Sequence, residues 1–468
     1  MSAESDFLVL EARFVAGTYG GIEWPPSPFR LLQAIVAGCR GIDAAGLDWL
    51  ERQLPPLILA CDEPAVVRFR RSIPNNADPR KPNSAFSMRS IHLRRVEQPV
   101  RYIFPICAAD RSAALMLIAA AEEVHTLGVG EDMCVLRGEI VGTPPQSDAI
   151  NRLWQAQASG GIRRSGEVLL RVPVAGSLAS LERRFQAFQR RLNAGEEGYA
   201  RPVTPPALHR VVAYRPSDQS PRSAYLAFKL LQPDDDAACR RFHPEDAVVV
   251  GGMLRHAAMR LADREAPALS DFAAGYAPQQ DAERRLSWVP VPSVGHQHAD
   301  GLIRRALWVA RAVDADALGQ LAAAIPADGL SLIDAASGEC VARALPVDPG
   351  EEPVLGHLEG PARDWVSITP LILPGDYGGG NIRLMTRLLH KAVREAGIDV
   401  GLLEQVEFSK TGFLRQAARL SEVRLKDWKA KNLILYHVRL RFRTALHGPI
   451  VLGRGRHYGL GLMCADLK

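Results

Sequence analysis

The chain has 468 residues, which corresponds to about three ordinary domains if each takes roughly 150 residues. Its composition, 47% hydrophobic and 23% charged, is typical of a globular protein with a sizeable core and excludes disorder as the main state. The formal net charge is +5, from 57 Lys and Arg against 52 Asp and Glu. That excess is too small to identify a nucleic-acid-binding protein by itself.

Membrane and secretory classes are also disfavoured. No apolar run approaches the ~20 residues that a membrane-spanning helix needs, and the acidic start MSAESDFLVLEARF lacks the layout of a secretory signal. The seven cysteines are dispersed and form no C-x-x-C pair. This pattern favours a reducing compartment over a disulfide framework or a cysteine zinc site. We therefore expect a cytoplasmic protein without membrane association.

The first part of the chain alternates strand and helix signals. Strands are predicted at 7–14 and 100–106, and helices at 29–38 and 112–126. The helix at 29–38 follows a proline-rich stretch and places its apolar residues on one face. A strand, a helix, further strands and another helix indicate a ferredoxin-like βαββαβ unit.

A basic segment interrupts this unit. Residues 68–101 contain nine Arg or Lys and two acidic residues, with prolines and asparagines that mark turns. The pattern predicts a long basic hairpin, whose role is either that of a solvated surface loop or that of an arm contacting phosphates. The candidate phosphate contacts are Arg70, Arg71, Arg94 and Arg95.

A domain boundary is expected near residue 210. Residues 177–192 predict an amphipathic helix with arginines largely off its apolar stripe. The segment 195–223 that follows is rich in Pro, Gly and Ser and is the best linker candidate. It divides the chain into a half spanning 1–210 and a half spanning 222–468.

The second half repeats the same opening twice. Strands are predicted at 224–230, 365–373 and 436–444, and helices at 244–261 and 381–396. These elements predict two further ferredoxin-like units, at about 222–345 and about 350–468. The fold class expected for the whole chain is therefore α+β, with tandem ferredoxin-like units.

The strand at 436–444 alternates between apolar and basic positions. One face carries Tyr436, Val438, Leu440 and Phe442, and the other carries His437, Arg439, Arg441 and Arg443. Because side chains of a strand point alternately to opposite faces, one face is core and the other is a basic row. The row predicts contacts to a nucleic-acid backbone by Arg439, Arg441 and Arg443.

A glycine-rich segment at 448–463 follows this strand. Glycines at this density let a backbone approach a ligand closely and turn its N–H groups towards phosphates. The segment matches neither a Walker A loop nor a dinucleotide fingerprint, and its plain alternative is a turn-rich final hairpin. The candidate contacts are Gly453, Arg454, Gly455, Arg456, His457, Gly459 and Gly461.

Histidines provide the candidate chemistry. The stretch SVGHQHADG (293–301) holds His296 and His298, which suit general acid–base work, a structural role, or metal binding with Asp300. The pattern H-x-H-x-D at 296–300 is part of a signature of metallo-hydrolases of the β-lactamase superfold, but Gly301 stands where that signature has a further histidine. His256 lies off the apolar stripe of the helix at 244–261, as a surface or an active-site residue.

Four segments together resemble one known family. EWPPSPFRLLQAIVAG (23–38), VPVPSVGHQHADGLIRRALWV (289–309), DWVSITPLIL (364–373) and GPIVLGRGRHYGLGL (448–462) resemble the CRISPR-associated fusion protein of type I-G systems, formerly called I-U. The resemblance implies a Cas-five-like half at 1–210 that binds the 5′ handle of CRISPR RNA. It implies a Cas-six-like endoribonuclease half at 222–468, with ferredoxin-like (RNA-recognition-type) folds in both.

The resemblance also implies an activity and partners. The expected reaction is metal-independent and needs no cofactor: a ribose 2′-OH of the repeat attacks the adjacent phosphate and leaves a 2′,3′-cyclic phosphate. His296, His298 and His256 are the candidate acid and base, and CRISPR RNA and the backbone and large subunits of a type I-G effector complex are the expected partners. Two alternatives remain: a catalytically inactive CRISPR RNA-binding subunit, and a metal-dependent hydrolase using His296, His298 and Asp300.

Overall fold

The structure is a computed structural model, and its contacts divide the chain into two compact units. It describes residues 6–39, 44–64, 66–74, 86–157, 161–190, 207–275, 285–296, 298–352, 354–373, 381–423 and 435–466. The first unit consists of Met1–Ala158 and Glu167–Gln219, and the second of Ser159–Gly166 and Ser220–Lys468. The division after Gln219 falls within the segment expected to be a linker.

Strands and helices alternate along both units. In chain order, the strands are β1 Asp6–Phe14, β2 Thr18–Tyr19, β3 Leu57–Cys61, β4 Val66–Pro74, β5 Phe86–Arg95, β6 Val100–Ile106, β7 Cys134–Val141, β8 Asn151–Ala156, β9 Arg163–Arg164, β10 Val168–Val172, β11 Arg210–Pro216, β12 Ser223–Gln232, β13 Asp235–Cys239, β14 Ser287–Pro292, β15 Ile303–Arg311, β16 Leu330–Ile333, β17 Cys340–Val347, β18 Ala362–Ser367, β19 Leu371–Ile372, β20 Leu403–Ser409, β21 Leu435–Leu446 and β22 Met463–Ala465. The α-helices are α1 Pro28–Gly38, α2 Ala44–Arg52, α3 Arg111–Glu122, α4 Ser177–Arg190, α5 Ala247–Glu265, α6 Ser270–Ala274, α7 Ala315–Ala323, α8 Gly356–Glu359 and α9 Ile382–Glu395. The predicted α+β class is confirmed.

The first unit contains one ferredoxin-like arrangement. Within its sheet β3, β6, β1 and β7 are neighbours in that order and pair antiparallel, with α1 and α2 between β1 and β3 and α3 between β6 and β7. Leu8, Leu10 and Ala12 alternate along β1 and lie fully buried in the core. The strands at 7–14 and 100–106 and the helix at 29–38 are confirmed.

Two predicted segments in this unit differ from the structure in detail. The helix expected at 112–126 ends at Glu122, because Thr126 already pairs with Met133 ahead of β7. The linker expected at 195–223 contains β11, which lies between β10 and β8. Tyr214 of β11 is fully buried, and its hydroxyl donates to the carbonyl of Pro56 at 3.0 Å. Residues 191–206 of that segment lie outside the described residues.

The predicted basic hairpin is present. β4 and β5 pair antiparallel from Val66 opposite Arg94 to Pro74 opposite Phe86, and β2 pairs with β5. Residues 75–85, which connect the two strands in sequence, lie outside the described residues. The hairpin forms a three-stranded sheet separate from the ferredoxin-like sheet of this unit.

The second unit begins with another ferredoxin-like module, which we call the first module. Its strand order is β14, β15, β12, β17, with α5 between β12 and β14 and α7 between β15 and β17; β16 extends the edge beside β17. Its core includes Phe228 and Trp308, whose rings meet edge to face at 4.9 Å. The predicted strand at 224–230 and helix at 244–261 lie within β12 and the α5 region.

The second module uses the same order with one helix fewer. β20, β21, β18 and β22 are neighbours, and α9 connects β18 and β19 to β20. Between β21 and β22, where a second helix would stand, residues 447–462 form the glycine-rich loop with a 3₁₀ turn at Arg454–Tyr458. The strand expected at 365–373 is interrupted between β18 and β19, where Pro370 lacks the N–H that a ladder needs.

One apolar layer joins the two modules. Tyr225, Val289 and Leu307 of the first module pack in one cluster with Val366 and Leu462 of the second. The sheets of the two modules therefore share a core within the second unit.

Candidate functional site

The loop between β14 and β15 holds two of the candidate histidines. It is closed by backbone hydrogen bonds from Gly301 to Ser293 at 2.8 Å and from Ser293 to Leu302 at 3.1 Å. His296 is half-buried, and its Nε2 lies 3.0 Å from the hydroxyl of the buried Ser293. That contact orients the imidazole and leaves Nδ1 as the nitrogen for a substrate. His298 is exposed.

A third histidine, which the sequence analysis missed, lies beside this loop. Phe242 and Ile303 form a two-way backbone bridge, with N–O distances of 3.0 and 2.9 Å. His243, which follows Phe242 and precedes Pro244, is exposed at this point. We call His243, His296 and His298 the histidine corner. The bridge brings the backbone at residue 243 next to the end of this loop, which no sequence motif indicates for residues about 50 positions apart.

Asp300 is committed to an ion pair. Its Oδ1 accepts from Arg304 Nη1 at 2.9 Å, and its Oδ2 accepts from Nη2. The hydrogen bond from Arg304 lowers the pKa of Asp300 to about 2, although partial burial opposes the shift. Among the described residues, no group of three His, Cys, Asp or Glu is arranged to hold a metal ion. The donor set therefore gives the metal-dependent alternative no support.

His256 lies apart from the histidine corner. It is exposed on α5, as its position off the apolar stripe predicted. Nine residues of helix separate it from Ala247, a distance of about 14 Å along the axis at 1.5 Å per residue. The corner lies beyond that same end of the helix, because the ring of Pro244 lies 3.5 Å from where a Cβ of Gly301 would be. The structure therefore does not bring His256 together with His296 and His298.

The glycines of the glycine-rich loop are required by its own packing. Gly453, Gly459 and Gly461 have φ near +80°, a conformation that favours glycine. A Cβ would overlap the carbonyl of Ile372 at Gly453 and that of Leu452 at Gly461, and at Gly459 it would lie 2.9 Å from the carbonyl of Ala247. Gly455 is buried too, with Leu460 3.0 Å from where its Cβ would be. The interpretation that these glycines admit a ligand is corrected, because protein atoms fill the space.

The charged residues of this loop differ in exposure. Arg456 is only 8% exposed and donates to the carbonyl of Glu395 at 3.0 Å. His457 Nδ1 lies 3.2 Å from the carbonyl of Leu286. Burial, with the positive charge of Arg456, lowers the pKa of His457 to about 3, so it is neutral near pH 7. Arg454 is exposed and is the loop residue best placed for a phosphate.

The basic row of β21 is partly neutralised. Arg439 pairs with Glu407 at 3.4 Å and with Asp466 at 3.2 Å. Arg441 makes two hydrogen bonds to Asp364, at 2.7 and 3.1 Å. An RNA phosphate would have to compete with these carboxylates.

The two ends of the row have different roles. Arg443 is exposed on the predicted face. His437 is fully buried, with Nε2 2.8 Å from the carbonyl of Ala418 and Nδ1 3.0 Å from the hydroxyl of Ser367. Burial lowers the pKa of His437, which makes it a structural neutral histidine.

The hairpin of the first unit presents arginines at its surface. Arg94 is an exception: it is 8% exposed, donates to the carbonyl of Gly21 and pairs with Glu63 at 3.0 Å. Those contacts give Arg94 a structural role in place of the predicted phosphate contact. Among the hairpin side chains that the structure describes, the exposed arginines are Arg68, Arg70, Arg71 and Arg95, of which Arg71 pairs with Glu131 and Arg95 with Glu97.

The strand orders of the modules are those of ferredoxin-like folds, the class to which RNA-recognition domains belong. Surface arginines and the histidine corner are the polar features of this protein. Residues 3–378 match the model of the GSU0054 family of CRISPR-associated proteins, and the chain belongs to that family. The matched range includes the histidine corner and ends before the glycine-rich loop.

Other comparisons are weaker. Among solved structures, the chain is similar to Csf5, the CRISPR-Cas type IV Cas6 crRNA endonuclease, with a TM-score of 0.22 and 8% identity over 52% of this chain and 99% of that chain. A TM-score this low does not establish a common fold. No curated protein matches the chain. Within the described residues, no helix combines the length and apolar character needed to cross a membrane.

Proposed function

We propose that this protein cuts the repeat of CRISPR RNA and keeps the product bound as a cytoplasmic subunit of a type I-G effector complex. The observation that carries the proposal is the histidine corner, in which Ser293 orients His296 beside the exposed His298. Membership of a CRISPR-associated family supports an RNA-related role for the protein.

The proposed chemistry uses a nucleophile that belongs to the RNA. One histidine removes the proton of a ribose 2′-OH, which attacks the adjacent phosphorus, and the other protonates the departing 5′ oxygen. The products are a 2′,3′-cyclic phosphate and a 5′-OH, and no metal takes part. The protein's main task is alignment of the reacting groups. Two imidazoles two residues apart on one hydrogen-bonded loop suit the paired roles.

The two units have different proposed tasks. The first unit acts as the Cas-five-like half and binds the 5′ handle, with the exposed arginines of the hairpin as phosphate contacts. The second unit acts as the Cas-six-like half, which cuts the repeat. The backbone and large subunits of the complex are the proposed protein partners.

A binding-only subunit is the second candidate. The exposed hairpin arginines favour it, since they are able to retain CRISPR RNA without any contribution from the histidines. Cleavage distinguishes the two candidates.

The test is single-turnover cleavage of the system's own repeat RNA in excess EDTA. We expect cutting, and we expect deoxyribose on the 5′ side of the cut to abolish cutting while leaving binding intact. The matched control carries the deoxyribose one nucleotide further 3′ and should be cut normally. Cutting of the first deoxy substrate at full rate would contradict the mechanism. Binding without cutting would identify the binding-only subunit, and cutting that requires added Mg²⁺ would identify a metal-dependent enzyme.

A further inference from the structure

A cavity of about 50 Å³ lies between the two modules of the second unit. Four arginines from separate segments line it: Arg222 before β12, Arg285 before β14, Arg311 at the end of β15, and Arg456 in the glycine-rich loop. The hydroxyl-bearing Ser223 and Ser287 line it as well. We call this space the arginine cavity.

Protein acceptors account for three of the four arginines. Arg311 and Arg456 both donate to the carbonyl of Glu395, at 3.5 and 3.0 Å, where the last turn of α9 favours positive charge. Arg222 donates to the carbonyl of His447. Arg285 is different, because its buried Nε has no hydrogen-bond partner within the described part of the chain. A buried donor of this kind is costly unless a ligand or water satisfies it.

The charge around the cavity is strongly positive. Its described lining carries four guanidinium groups and one carboxylate, Glu395, which also faces Lys391 at 3.9 Å. Burial lowers the pKa of Arg222. Burial and the positive charges of Arg456 and Arg285 also lower the pKa of His457, next to the cavity. Like charges at short range in a partly desolvated space repel one another, and a bound anion relieves that repulsion.

We propose that the arginine cavity binds one phosphate group, held by Arg285 and Arg222 and by the hydroxyls of Ser223 and Ser287. The planar guanidinium matches the oxygens of a phosphate in a paired geometry. A water needs roughly 10–15 Å³ of such space, so the volume fits a few waters or one small oxyanion. That the phosphate belongs to a bound RNA rests on the proposed function; inorganic phosphate is the other source.

The decisive experiment measures binding of inorganic phosphate to the full chain without RNA, by calorimetry at constant ionic strength. We expect saturable binding that Arg285→Ala weakens at least tenfold and Arg285→Lys weakens less. Arg264→Ala, an exposed arginine of α5, is the matched control and should bind as the wild type does. Circular dichroism melting confirms that each variant is folded. Absence of saturable binding to the wild type, or equal affinity in folded Arg285→Ala, overturns the proposal.

Repeat RNA distinguishes the two sources of the phosphate. If the RNA backbone fills the cavity, inorganic phosphate should compete with RNA, and Arg285→Ala should lower the log–log salt slope of RNA binding by about 0.7. An unchanged slope, with phosphate binding lost, assigns the cavity to free phosphate. Failure of the wild type to bind RNA would remove the proposed function and leave the phosphate result standing.

Discussion

At the scale of single residues, the histidine corner is the feature that decides the proposed activity. We expect His296→Ala or His298→Ala to lower the single-turnover cleavage rate by about 10²–10⁴-fold, the range for loss of a general acid or base. The measurement uses saturating protein and repeat RNA in EDTA, so that weaker binding does not affect the rate.

His256→Ala is the matched control for this prediction. It removes an exposed histidine from α5, about 14 Å along the helix from the end where the corner lies, and should leave the rate unchanged. Loss of activity in His256→Ala alone would show that the catalytic histidine is the one on α5. If none of the three substitutions affects the rate, the assignment of the site is wrong.

The residue scale also shows what sequence reasoning reached and what it missed. The sequence could indicate His296 and His298 as a pair because they are two positions apart in one Gly-flanked loop. It could not indicate His243, because its position next to this loop depends on the bridge between Phe242 and Ile303. The role of Ser293 in orienting His296 was missed for a related reason: sequence does not show which ring nitrogen meets which hydroxyl.

At the scale of elements, strong periodicity gave accurate predictions. The helix expected at 381–396 is α9, with Asn381 as its N-cap and Ala396 as its C-cap, and the strand at 436–444 lies within β21. The prediction of a linker missed a strand because a composition rich in Pro, Gly and Ser obscured its pattern. The Pro-rich stretch concealed β11, whose buried Val212 and Tyr214 alternate along the strand.

The glycine-rich loop shows a different limit. A positive φ favours glycine whether the position of the missing Cβ faces a ligand or another part of the protein. At Gly461 that position is filled by the carbonyl of Leu452, a contact that no local sequence pattern reveals. At Gly455 a side chain would meet Leu460 at 3.0 Å, so Gly455→Val would strain this packing and would not be a selective probe of RNA binding.

The basic row of β21 gives the prediction at this scale. We expect Arg443→Ala to weaken repeat-RNA binding and to lower the log–log salt slope by about 0.7, the value for one phosphate contact of single-stranded RNA. Arg439→Ala with Arg441→Ala should lower the slope by less than the roughly 1.4 of two full contacts. The reason is that Asp364, Glu407 and Asp466 already hold these arginines.

Filter binding across a salt series measures these slopes. Arg111→Ala, an exposed arginine of the first unit paired with Asp6, is the control and should change the slope little. Unchanged affinity and slope in Arg443→Ala would show that this face of the sheet is only solvated, and that the RNA follows another path.

At the scale of the whole molecule, the chain is built from two units with separate cores. The apolar cluster around β1 and α1 contains residues of the first unit alone, and the clusters of the two modules contain residues of the second unit alone. Domains with their own cores commonly unfold in separate transitions. Substitutions that break a partly buried ion pair in one unit should therefore affect mainly the transition of that unit.

Glu23 provides this test in the first unit. It accepts hydrogen bonds from Arg30, from Arg171 at 3.1 Å and from the hydroxyl of Ser27 at 3.1 Å. Burial alone would raise its pKa, but the hydrogen bond and charge of Arg30 and the charge of Arg171 lower it from 4.5 to about 2. Because the folded pKa is depressed, the stabilisation is complete above about pH 5 and is lost as the pH falls towards 2.

We expect Glu23→Gln to lower the melting temperature of one of two calorimetric transitions at pH 7. Removing one partner of this partly buried ion pair costs less than the ~3–5 kcal/mol of a fully buried pair, but it is destabilising because Arg30 and Arg171 then keep uncompensated charges. The difference from the wild type should shrink as the pH falls from about 5 towards 2, where the wild-type carboxyl is protonated too. Glu352→Gln, which removes the partner of Arg305 in the second unit, is the matched control and should lower the other transition. A single transition that both substitutions lower equally would show that the two units unfold as one, and a pH-independent difference would show that the Glu23 carboxylate is not what stabilises the first unit.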